Sequence, residues 1–180
     1  AVAATLRQEG HKVTIWDQGV NHYPSHCLTQ FLDENEFDVV GISLIAGYWQ
    51  YKILLELSEA IDASRHRPKH YILGGYGPAP EPEYFLRKTN ADIVVIGEGE
   101  DTIRELFSVL EGGKDLSTIN GIAYRDGDTI RIAPERELIP EECLNDLNRV
   151  PMPAYDLFEM NVYRLMRTPS CSTVHFVQPM

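Results

Sequence analysis

The feature that most constrains this chain is an alternation. Short apolar runs of strand length end in turns, mostly glycine-bearing, and are followed by patterns of helical period. Runs at 38–44, 71–73 and 92–96 read as strands. The first is continuous, of the kind buried on both faces. Between them, Ile53, Leu54, Leu57, Ala60 and Ile61 fall on one helical face, and a shorter helix is expected over 83–88. After the third run, Ile103, Leu106, Phe107 and Leu110 form one stripe, closed by Gly112 and Gly113. Upstream, Val2, Ala3 and Leu6 share a helical face, Gly10 is placed to end that helix, and 12–16 runs as a further strand. A loop at 21–24 and a modest helix over 28–35 follow. Strands alternating with helices at this spacing predict parallel βαβ units. The fold class is therefore α/β, a doubly wound, flavodoxin-like or Rossmann-like parallel sheet over residues 1–115.

Beyond about residue 115 the rhythm changes. Apolar runs at 120–125 and 129–133 flank Asp126-Gly127, a strong hairpin signal. Residues 134–153 read as an extended, acidic linker punctuated by proline, and 173–177 as one more strand.

Charge and cysteine usage exclude several functions. A formal charge of -11 argues against a surface that tracks nucleic-acid phosphates. Cys27, Cys143 and Cys171 are odd in number and far apart. No pair has the spacing of a zinc or iron–sulfur loop, and a cytoplasmic setting fits better than a secreted disulfide framework. No apolar run is long enough to span a membrane, and Arg7, Gln8 and Glu9 interrupt any signal-like stretch at the start.

In open α/β sheets ligands bind beyond the carboxyl ends of the strands. That rule selects Asp17, Gln18 and Gly19; Ser43, Leu44, Ile45 and Gly47; Gly74, Gly75, Tyr76 and Gly77; and Gly97, Glu98, Gly99 and Glu100 with Thr102. Glycine permits positive φ and close approach of a ligand to the backbone, although βα turns favour glycine without any ligand. Ser43 is polar in an apolar strand, so its hydroxyl needs a partner, whether ligand or carbonyl. Gly97-Glu98-Gly99 is not a dinucleotide fingerprint, because the third glycine falls on Thr102 and two glutamates would repel a pyrophosphate. Glu100 and Asp101 suit the start of a helix. The six histidines form no ligand pattern: His22 and His26 are four apart, but Pro24 argues against a helix through both.

These residues resemble the N-terminal cobalamin-binding domains of radical S-adenosylmethionine proteins. The matching segments are Leu6-Arg7-Gln8-Glu9-Gly10-His11-Lys12-Val13, Asp38-Val39-Val40-Gly41-Ile42-Ser43 and Leu73-Gly74-Gly75. The most specific is Gly97-Glu98-Gly99-Glu100-Asp101-Thr102, with Glu105-Leu106 after it. Ile119-Asn120-Gly121-Ile122-Ala123-Tyr124-Arg125 and the stretch from Leu147 to Leu157 complete an ordered set over about residues 2–160. The resemblance implies a cobalamin whose nucleotide tail is buried beside the sheet, near Ser43 to Gly47, Gly74, Gly75 and Gly97 to Glu100. It also implies a C-terminal radical S-adenosylmethionine barrel in the same polypeptide, holding a 4Fe-4S cluster on a CxxxCxxC motif. Methyl transfer and ring formation are the reactions of such proteins. On this reading, 116–160 is hairpin and linker, and 161–180 begins the barrel.

Two departures bear on that reading. The chain has no CxxxCxxC, so it is expected to be non-catalytic by itself. The family's first strand is expected before Ala1, lying between 12–16 and 38–44. No histidine is well placed at the glycine-bearing edge, so the lower face of cobalt is expected to be left to water or to nothing. Two other classes compete. A receiver-like regulatory module needs an acidic cluster at its strand ends, where only Asp17 is well placed. A nucleotide-sugar-binding half of a transferase wants basic groups at the glycine turns, whereas the basic turn at 65–69 precedes its strand.

Overall fold

The computed structural model describes residues 1–45 and 47–165, with the side chains of 164 and 165 outside the description. Cys171 and the strand expected over 173–177 lie outside the described residues.

Helix α1 (Val2–Gln8) ends as its sequence dictates. Gly10 takes φ +93°, a value that glycine adopts without a Cβ penalty, and His11 N donates to Leu6 O at 3.0 Å. Residues 12–16 then carry no ladder among the described residues, which corrects the strand expected there. A strand is defined by its neighbours, and no described strand pairs with this segment. Helix α2 (Gln18–Asn21) is capped by Asp17, whose Oδ1 accepts from Val20 N at 3.2 Å. Helix α3 (Ser25–Glu34) starts three residues before the expected onset, with Pro24 at its N-cap.

The sheet is built by β1 (Val39–Ser43), β2 (His70–Gly74) and β3 (Ile93–Val95), linked by α4 (Tyr48–Asp62) and α5 (Pro82–Thr89). These three strands run parallel, in sequence order. Helix α6 (Gly99–Gly112) follows β3, and Gly113 at φ +60° closes it. The hairpin β4 (Ile122–Asp126) and β5 (Thr129–Ile132) joins the same sheet, β4 lying antiparallel to β3. Helix α7 (Met160–Leu165) ends the described residues.

Both faces are covered, which makes the sheet doubly wound. On one, Leu28, Leu32, Leu54, Leu57, Ile61 and Leu86 from α3, α4 and α5 pack on Tyr71, Leu73 and Val94. On the other, Ile103, Leu106 and Val109 of α6, with Leu6 of α1, pack on Ile72, Ile93 and Val95. Burying a Leu or Ile such as Leu54 or Ile61 contributes about 1.5–3 kcal/mol. Tyr71 is fully buried in β2, and its hydroxyl lies 2.8 Å from Ser58 Oγ, which donates to Leu54 O.

Strand β1 departs from the reading of a strand buried on both faces. Among the described residues it pairs only with β2, and Gly41 and Ser43 are exposed. It is an edge strand here.

Candidate functional site

The register brings the strand ends together. Ser43 stands opposite Gly74, and Leu73 opposite Val94, so the loops after β1, β2 and β3 emerge along one edge. The first two loops are stitched to each other. Leu44 N donates to Gly74 O at 2.9 Å, and Gly77 N donates back to Leu44 O at 3.0 Å.

That stitching accounts for two of the glycines. Gly75 has φ +89°, and a Cβ there would lie 2.5 Å from Leu44 O and 3.1 Å from Ser43 Oγ. A Cβ at Gly77 would lie 2.8 Å from Leu44 Cδ2. Gly75 needs glycine for loop packing before any ligand is considered, and a side chain at Gly77 would displace that of Leu44. Leu44 itself is buried between them.

Other small residues are different. Val39 packs toward the α1 and α6 side, so Gly41 and Ser43, two and four residues on, share that face. A Cβ on Gly41 would meet nothing within 4 Å, and one on Gly74 would meet only Val95 Cβ at 4.0 Å. Ser43 is exposed, and its hydroxyl has no hydrogen-bond partner among the described residues. Gly41, Ser43 and Gly74 thus form a strip of minimal side chains beside open space. The sequence reading missed Gly41, although glycine inside a strand is itself a signal of close approach by another group.

Large apolar side chains rise at the same edge. Ile45, Tyr48, Trp49 and Tyr76 are each 68% exposed or more. Exposed apolar side chains mark an interaction surface where they form a contiguous patch. Lys52 Nζ lies 5.0 Å from the Tyr48 ring centre and 5.4 Å from that of Trp49, a cation–π arrangement that steadies both rings. Gln50 folds back over Gly47, with Oε1 in the space that a Cβ there would need.

The remaining candidates are turned to structural work. Asp17 caps α2 with one oxygen and accepts from the Tyr163 hydroxyl with the other. Burial first, and then that bond, push the Tyr163 phenol up to about 12. Gln18 accepts from Trp16 Nε1 and donates to Tyr23 O, while Gly19 is exposed. Glu98 accepts from Ile139 N at 2.6 Å. Thr102 is fully buried and donates to Glu98 O at 3.2 Å, so no ligand reaches it directly. Glu100 lies in the first turn of α6, behind Gly99. Gly97, at φ +81° with nothing within 4 Å of a Cβ, borders open space.

His22 ends α2 in a left-handed conformation, and His26 lies in α3, so no single helix carries both. Among the described residues no group of three or more His, Cys, Asp or Glu could hold a metal ion. Cys27 and Cys143 are free thiols. No helix among them is long and apolar enough to cross a membrane.

Residues 1–107 match the family described as "B12 binding domain". The chain belongs to that family. It is 28% identical, over 94% of its length, to an uncharacterized methyltransferase of Pyrococcus horikoshii. It is 29% identical, over 90%, to the cytidylyl-2-hydroxyethylphosphonate methyltransferase of Streptomyces wedmorensis. It covers 35% and 36% of those proteins, about a third of each. Its fold also matches OxsB, a cobalamin-dependent S-adenosylmethionine radical enzyme solved with aqua-cobalamin and S-adenosylmethionine bound. There the TM-score is 0.64 and the identity 24%, covering 76% of this chain and 19% of that one. The B12-binding domain of such enzymes is what this chain resembles.

Proposed function

We propose that this B12-binding domain holds cobalamin at the carboxyl edge of its sheet and serves a radical S-adenosylmethionine enzyme of methyltransferase or cyclase type. The observation that carries the site is the strip Gly41–Ser43–Gly74, beside open space and overlooked by the exposed Ile45, Tyr48, Trp49 and Tyr76. The fit is chemical as well as steric. A flat aromatic or corrin-sized group needs small residues where it meets the backbone and apolar side chains beneath it. The strip would take the nucleotide tail, with the Ser43 hydroxyl free to hydrogen-bond it. The four apolar side chains would carry the ring, and Gly97 would leave room at the third loop. When bound, cobalamin supplies a cobalt centre that carries an alkyl group. This chain's own residues bind, orient and exclude water around it.

The catalytic barrel, with its 4Fe-4S cluster and S-adenosylmethionine, belongs on this reading to the same polypeptide. Residues 116–160 would then be the connection and 161–180 the barrel's beginning. The greater length of the methyltransferase relatives, of which this chain covers about a third, supports a further domain in the same polypeptide, and the free thiols fit a cytoplasmic setting.

The test is titration of hydroxocobalamin into the chain, followed by visible absorption. Gly74→Val puts atoms into the strip at a position with no positive φ and no close contact. It should weaken binding at least about tenfold, or 1.4 kcal/mol. Its melting temperature should stay near that of the wild type. Unchanged affinity in Gly74→Val would move the tail elsewhere, and absence of binding to the wild type would reject the proposal.

A further inference from the structure

The acidic segment that opens α6 has partners no local pattern announces. Ile139 N donates to Glu98 Oε2 at 2.6 Å. Arg149 reaches Asp101 Oδ2 with Nη2 at 2.8 Å and Nε at 3.2 Å. Arg136 pairs with Glu105. Glu98 is the N-cap of α6, and Asp101 and Glu105, four residues apart, share one face of its first two turns. Each takes a different point of the stretch that follows the hairpin.

Other contacts continue the path. Gly121 N donates to Pro134 O at 2.8 Å where the stretch leaves β5. Arg104 pairs with Asp101 and Glu9 and donates to Arg149 O at 3.3 Å, joining α1, α6 and the stretch. Ile139 and Ala154 are buried. Arg7 of α1 pairs with Asp156 at 2.7 Å, and Tyr163 of α7 donates to Asp17. The chain from 134 to 163 therefore runs from the hairpin past α6 and α1 to Asp17, the N-cap of α2.

We infer that residues 134–163 are a docked strap, and that Glu98, Asp101 and Glu105 are positioning residues that fix where the chain leaves this domain. The acidic character of the Gly97–Glu105 segment is thereby assigned to holding the strap.

Isolated exposed ion pairs contribute little, but here three anchors act on one segment with two buried side chains, and releasing one loosens its neighbours. The test uses the 180-residue chain with 3-fluorotyrosine at position 163. Arg149→Gln alters the strap and not the domain, so folding of the sheet is not at risk; Asp101→Asn alters the opposite partner. Each should speed thermolysin cleavage near the exposed Leu144 and Leu147 about three- to tenfold. The double variant should add little to either. Each should also shift the fluorine resonance of Tyr163 toward that of the Asp17→Ala variant, although Tyr163 is remote in sequence from both substitutions. Amide exchange in β2 and β3 should not change. Cleavage at the wild-type rate would overturn the docking. Faster cleavage with an unmoved Tyr163 resonance would overturn the positioning role.

Discussion

The main-chain oxygen of Leu44 occupies the space that a side chain on Gly75 would need. A Cβ there would sit 2.5 Å from that oxygen, and φ at Gly75 is +89°. A glycine kept only so that a ligand can approach the backbone would, when substituted, hurt binding far more than folding. The geometry reverses that ranking. Gly75→Ala should cost about 2–4 kcal/mol of stability, from left-handed backbone and the clash with Leu44 together. Chemical denaturation in the absence of cobalamin measures this. A variant as stable as the wild type would mean that the loop after β1 yields easily.

Asp33 gives the domain a specific weakness in acid. Its carboxylate accepts from Ser64 Oγ at 2.8 Å and from Arg65 N at 2.8 Å, tying the end of α3 to the turn after α4. The Ser64 hydroxyl chiefly, then the Arg65 amide and guanidinium, hold it below the ordinary carboxylate value of 3.8. A folded-state pKa below the unfolded one gives stability that is fully present above the unfolded value. That stability is lost as pH falls through the folded value. Wild type should therefore melt higher than Asp33→Asn at pH 7, and the gap should close as pH drops below about 4. Melting temperatures of both proteins across that range check it, and a gap that stays constant would contradict it.

Much of this fold was legible because its signals are local. The stripe Ile53, Leu54, Leu57, Ala60 and Ile61 marked α4, Gly10 and Gly113 marked helix ends, and Asp126-Gly127 marked the hairpin. Residues 12–16 were not legible, because a strand pattern does not reveal whether a neighbour is present to pair with it. Helix α2 spans four residues, too few to show a period. The site was harder still. Gly75 and Gly41 look alike in sequence, yet one is held by Leu44 and the other faces open space. Arg149 and Ile139, the partners that Asp101 and Glu98 find in the strap, lie 48 and 41 residues away, beyond any spacing rule.

Trp49 should matter to the ligand and hardly at all to the fold. It is 70% exposed on the first turn of α4, with Lys52 held against its ring. Surface residues with so little packing change stability by about 0.5 kcal/mol or less when truncated. An aromatic ring beneath a bound corrin is worth more, because both lose contact with water. Trp49→Ala should weaken hydroxocobalamin binding by roughly tenfold or more, with a melting temperature close to wild type. Absorption titration and thermal melting separate the two effects. Unchanged affinity would place the ring away from this side chain.

The outer edge of β1 carries amides that no described strand pairs with. Leu44 N points to Gly74, so by alternation the amides of Ile42 and Val40 also point toward β2. Those of Gly41 and Ser43 point the other way, where no described strand pairs with them. A polar backbone edge of this kind binds water or another strand. Trp16 packs against the α3 and α4 side of the core, and Leu6 of α1 against the α6 side, so the segment they flank stays anchored without a ladder. A strand lying between 12–16 and β1, as the family resemblance implies, would pair with these two amides. In the 180-residue chain Gly41 and Ser43 should exchange hydrogen far faster than Val40 and Ile42. In a polypeptide carrying that strand, all four should be protected, since a buried unpaired amide costs about 1–3 kcal/mol. Residue-resolved hydrogen exchange on both forms decides it. If Gly41 and Ser43 stay fast in the longer polypeptide, the strand does not lie along this edge.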